Sequence, residues 1–190
     1  MGAVETLRQD HACVRRVITA VRGEIADARA GSPCLDADSL SRRLHFFHSY
    51  CSSCHELKEE EILFRALQRR GMAWSDPPLR DLLQDHAELD IILASAEDWL
   101  PLTRAGDRIA RESILHDLEL YLEVLDVHLT REEETLFPVT AQRLTGGDRA
   151  VVEAAFSAVA QDEIDDGVQG LYEDLARELT GPPRSDTPLS

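Results

Sequence analysis

Aromatic residues are scarce, at 5% of 190 positions. With abundant Leu, Ala, Arg and Glu, that shortage suits helices better than sheets, and an all-α fold is expected. Cysteines number only four, Cys13, Cys34, Cys51 and Cys54, too few for a disulfide scaffold in a chain this long, so reduced thiols are expected. No run of 18 apolar residues occurs, and Met1 to Arg8 holds no apolar stretch of signal length. A soluble, cytoplasmic protein that does not enter membranes is expected. Cationic charge is also short, the formal net charge being −16, so phosphate backbones and anionic lipids would repel the chain and nucleic acid is not an expected partner. Gly-rich phosphate loops and nucleophile elbows are missing.

What the chain does have is a repeat. The string His55-Glu-Leu-Lys-Glu59-Glu60-Glu61-Ile-Leu63-Phe64 returns as His128-Leu-Thr-Arg-Glu132-Glu133-Glu134-Thr-Leu136-Phe137, each reading H-x-x-x-E-E-E-x-L-F. Asp10-His11 lies 44 residues before His55, and Asp85-His86 lies 42 before His128. On a helix, residues four apart stand one turn above each other, so each His and the first Glu after it can reach one ion. A duplicated helical hairpin would bring His11, His55, Glu59, His86, His128 and Glu132 together inside a bundle. Burying four His and two carboxylates without a metal would be costly to desolvate.

Mixed imidazole and carboxylate ligands suit iron, manganese or zinc, and two carboxylates in one pocket suggest a bridged pair of ions. Two divalent ions bring four positive charges and two carboxylates remove two, which leaves room for an oxo or hydroxo bridge or bound dioxygen. The Glu-x-x-His spacing of ferritin-like di-iron proteins is absent. His55-Glu56 begins a zincin-like H-E-x-x-H, but position 59 is Glu.

Apolar spacing predicts helices over 4–30, from Asp36 or Asp38 to Gly71, from Pro77 or Pro78 to about Pro101, and from about 108 to Leu144. Ser75 or Asp76 is expected to cap the third of these. A fifth helical region at 148–179 is expected to be interrupted near Asp165-Asp-Gly167, and the Pro-rich tail 181–190 to be disordered. Trp74, Trp99, Phe137 and Phe156 read as packing residues. His45 and His116 read as surface or outer-shell groups, and the triple-Glu runs beyond their first member as solvated helix face.

Over most of residues 5–179 the chain resembles the hemerythrin-like, or HHE cation-binding, proteins. The likeness is carried by Asp10-His11, Cys54-His55 with Lys58 through Phe64, Asp85-His86, Tyr121, and His128 with Glu132 through Pro138; Gly167-Val168 and Leu171-Tyr172 look like the family's closing segment. The resemblance implies an up-and-down four-helix bundle with a C-terminal helical extension, residues 1–180 forming one metal-binding domain with internal repeats at 5–71 and 77–144. It implies two non-haem irons, with His11, His55, His86 and His128 as terminal ligands and Glu59 and Glu132 as bridges. Where the oxygen carriers have H-x-x-x-H on the third helix, this chain has His86-Ala-Glu-Leu-Asp90. Asp90 and Glu56 are therefore possible additional ligands, and reversible oxygen carriage is not expected.

Cys51-Ser-Ser-Cys54-His55 also spells the c-type haem attachment signature, but His55 belongs to the repeat and no export signal is present, so no haem is expected. His48 and Cys51, seven and four residues before His55, and Tyr121, seven before His128, would extend the ligand face towards one mouth of the site as candidate catalytic groups. The expected function is redox chemistry on dioxygen, hydrogen peroxide or nitric oxide at a di-iron site, catalase-like or oxidase-like. The alternatives are a non-enzymatic oxygen or iron sensor or store, and a metal-free interaction module.

Overall fold

The computed structural model describes residues 2–32, 35–165 and 176–177, and these contain no strand. Five helices are seen: α1 (Ala3–Arg29), α2 (37–69), α3 (Leu79–Arg104), α4 (108–143) and α5 (Gly146–Asp165). Asp36 opens α2 by accepting from the Ser39 N–H at 2.8 Å, and Asp107 opens α4 by accepting from Ile109 and Ala110. Gly31, Gly71 and Gly106, at φ of 98°, 87° and 86°, follow the ends of α1, α2 and α3 in the left-handed conformation that glycine adopts without steric cost. The connections between them are short. α3 lies along α4, α2 meets α3 and α1 meets α4, while α5 packs across α1 and the second half of α2.

Two boundaries differ from expectation. α3 runs through Pro101 to Arg104; the ring costs the interior bond to residue 97, but Pro101 is in the last turn, where its own carbonyl still accepts from Ala105. No side chain caps α3, because Asp76 instead accepts from Ala73 N. The interruption expected near residues 165–167 falls at the edge of the described residues. Gly167-Val168, Leu171-Tyr172 and the tail from 181 lie outside them.

The core comes in two parts. One cluster includes Val14, Val17, Ile18, Leu89, Leu93, Leu122, Leu125 and Leu129; the other includes Leu7, Leu63, Phe64, Leu82, Leu136 and Phe137. Between Leu7 and Val14 stands His11, between Leu82 and Leu89 stands His86, and between Leu129 and Leu136 stands Glu132. Each of α1 to α4 thus leaves one apolar cluster through polar side chains and enters the other. A polar layer splits the core, and the repeat supplies that layer.

Candidate metal centre

The polar layer holds His11, His55, Glu59, His86, His128 and Glu132, all buried. Their ligand-type atoms form two groups, His11, His55, Glu59 and Glu132 in one and Glu59, His86, His128 and Glu132 in the other, the atoms of each lying within 4.8 Å of one another. Glu59 and Glu132 belong to both. His128 Nε2 lies 2.7 Å from Glu132 Oε1 and His11 Nε2 2.8 Å from Oε2, while His55 Nε2 is 3.8 Å from both Glu59 and Glu132. Apart from these contacts with one another, the four Nε2 atoms and four carboxylate oxygens have no hydrogen-bond partner among the described residues. Orphaned buried groups are rare and expensive, and eight that converge suit bound metal.

The outer ring explains why each Nε2 points inward. The Nδ1 of His11 meets Glu133 at 2.8 Å, that of His86 meets Glu60 at 2.6 Å, that of His55 meets Asp10 at 3.5 Å and that of His128 meets Asp85 at 3.3 Å. A carboxylate accepting from Nδ1–H fixes the tautomer, leaving the Nε2 lone pair for a metal. Cations tie down three of these carboxylates: Lys58 on Asp10 at 3.3 Å, Arg131 on Asp85, and Arg15 on Glu133 at 2.6 Å. The two halves repeat each other, and each lone His is oriented by the second Glu of the other half's triplet.

Glu60 and Glu133 are therefore more than solvated helix face, and Asp10 and Asp85 acquire definite partners. Sequence carried a signal for all of them, since each recurs in both halves at a fixed offset from a His, as do the cations Lys58 and Arg131. Replacing Asp10 or Asp85 by Ala should weaken metal affinity about 10- to 100-fold while leaving the helices intact. Metal titration followed by isothermal calorimetry checks this.

Burial and the charge of Glu132 push the Glu59 carboxyl up, whereas Glu132, also subject to burial, is held well below the usual range by His128, His11 and His55. Burial pulls His86 and His128 down, but carboxylates outweigh it: Glu59 and Glu60 bring His86 to about 10, and Glu132 and Asp85 bring His128 to about 9.

Of the other candidates, Glu56 is buried and forms a third group with Glu60 and His86. Its burial, with Asp90 nearby, pushes its carboxyl to about 7. Asp90 itself is exposed and accepts from Ser52 Oγ at 3.3 Å, outside the convergent groups found among the described residues. Cys51 and Tyr121 are buried near Glu56, and burial pushes both well above their usual values. The Tyr121 hydroxyl and the Cys51 thiol face each other.

His48 is exposed and takes no part. From Phe47 to Glu56 and from Lys58 to Phe64 the backbone is wound as a π-helix, whose turns hold more residues than the about 3.6 of an α-helix. Seven residues then no longer make two whole turns, and His48 rotates off the face of His55. α4 is α-helical from Arg108 to Arg131, so Tyr121 stays on the face of His128.

Four buried imidazoles and two shared carboxylates inside a helical protein define a cation-binding helical class. The family model described as the hemerythrin HHE cation binding domain matches residues 2–140, and the chain belongs to that family. Searches of curated proteins and of solved structures found no match.

Proposed function

We propose that the chain holds two non-haem irons, His11 and His55 on one, His86 and His128 on the other, with Glu59 and Glu132 shared, and that it reacts with small oxidants, hydrogen peroxide first. In this reading α1 to α4 act as an up-and-down bundle forming one metal-binding domain, to which α5 is an extension. The observation that carries it is the convergence of eight buried donor atoms, without partners beyond one another, in two groups with common carboxylates. Bound iron would supply redox equivalents and an open position for the oxidant.

The chain's own contribution lies in how its two halves differ. The residue after His55 is Glu56, and the residue after His128 is Leu129, buried in the apolar core. The His86 side thus has an extra buried carboxyl, with Tyr121 and Cys51 beside it. Near neutrality a fraction of Glu56 is protonated, and Tyr121 and Cys51 keep their protons, so this side has donors for an oxidant that must take up protons as it is reduced.

Iron analysis of purified protein should give about two irons per chain; one zinc or no metal would overturn the reading. The iron-loaded protein should consume peroxide faster than its apo form and faster than free iron at equal concentration. Glu56→Gln should slow this about 10-fold or more at unchanged iron content. Complete burial of all six donor residues favours a second reading, a non-enzymatic oxygen or iron sensor or store. A consumption rate no higher than that of free iron would select it.

A further inference from the structure

Behind His11 lies a cavity that the metal centre does not use. It measures about 460 Å³ and is walled by Val4, Phe137, Pro138, Leu144 and Val152, with Arg8, Arg149, Glu153 and Thr140 supplying its polar groups. Its size and mostly apolar lining fall in the range of small-molecule sites, roughly 300–1,000 Å³. Phe137 joins it to the polar layer, since its ring stacks on that of His11 with centroids 5.4 Å apart.

Two polar groups here have no hydrogen-bond partner among the described residues. Thr19, Thr103, Thr130 and Thr135 each donate to the carbonyl four residues back. Thr140 is 3% exposed, and its hydroxyl has no partner. The carbonyl four residues back belongs to Leu136, the last residue of the π-turn Glu132–Leu136, where the hydrogen-bonding register changes. Arg8, whose guanidinium stands 5.0 Å from the Phe137 ring centroid, has no carboxylate partner among the described residues. Arg149 is held by the carbonyls of Ala141 and Leu144. In a chain of net charge −16, two guanidiniums against one carboxylate make this mouth locally positive.

We infer that the cavity binds a medium-chain carboxylate, its head group accepting from Arg8 and the Thr140 hydroxyl and its tail lying against Val4, Leu144 and Val152. The buried Thr140 hydroxyl would then be satisfied, the exposed Arg8 guanidinium would gain a counter-charge, and an apolar wall would lose its contact with water.

Octanoate titrated into the full chain, in metal-replete and metal-free form, tests this by calorimetry. One octanoate should bind per chain in both forms, at least 10-fold more tightly than octanol, which lacks the charge, and than acetate, which lacks the tail. Arg8→Gln should weaken it at least 10-fold, and Ala141→Trp, which fills the mouth, should abolish it with the far-ultraviolet dichroism unchanged. Absence of binding, equal binding of octanol, or octanoate binding that survives Ala141→Trp would overturn the assignment. Binding to the metal-replete form alone would also overturn it, by placing the carboxylate on the metal. Since the metal-free form is measured too, the outcome is independent of whether the centre holds iron.

Discussion

Stripping the metal should lower the melting temperature of this protein by about 8–16 °C. A ligand that binds only the native state stabilises it by about 4 kcal/mol at a thousandfold excess over its dissociation constant, and in a chain of this size each kcal/mol shifts the midpoint by about 2–4 °C. The metal-free form should also acquire a pH dependence. Its His86 and His128, brought to about 10 and about 9 by facing carboxylates, carry the compensating charge that the ions would otherwise supply. Because these folded values lie above the unfolded value of about 6.5, the stabilisation is complete below that pH and is lost as pH rises through 9 to 10. Metal-free protein should therefore melt lower at pH 10 than at pH 7, beyond any change in the metal-replete form. Calorimetric scans of both forms at the two pH values measure this, and identical scans after verified metal removal would rule out a central site.

The second large effect separates shared from unshared donors. Glu132 contributes to both groups of convergent atoms, whereas His11 contributes to one. Glu132→Ala should therefore lose essentially all bound metal, while His11→Ala keeps about one ion per chain. Metal analysis of the purified variants, with circular dichroism to confirm that each is helical, decides the matter. Two ions retained by Glu132→Ala would mean that its carboxylate is not shared.

Much of this arrangement is readable in the chain because it is written twice. His55 with Glu59 and His128 with Glu132 repeat in the same frame, and once both copies are helical their side chains must lie one turn apart. The helices themselves follow from apolar periodicity, and Asp36 is recognisable as a cap by its short acceptor side chain ahead of an apolar run. The π-turns are not readable this way. Whether an N–H bonds the fourth or the fifth carbonyl back depends on what the side chains pack against, and no residue type between Phe47 and Phe64 announces the wider turn. His48 is the casualty, since its offset from His55 is meaningful only on an α-helix. The partners of the outer carboxylates escape for a different reason. Glu60 and Glu133 reach His residues on other helices, and which distant imidazole a carboxylate faces is a property of the assembled bundle. Asp90 shows the converse, a residue at a family ligand position whose side chain is one that Ser52 can hold.

The ion pair between Lys58 and Asp10 has a practical consequence. Lys58 is the only lysine in the sequence; it is 5% exposed and donates to Cys54 Sγ at 3.4 Å as well as to Asp10. The other permanently cationic side chains are arginines, which amine-selective acylating reagents do not modify. Side-chain acylation by an amine-selective reagent is thus confined to one position, and it can occur only while the shell around His55 is open. The rate at which Lys58 takes up label becomes a clock for local breathing of the bundle, read by peptide mass without a reporter group or an engineered residue.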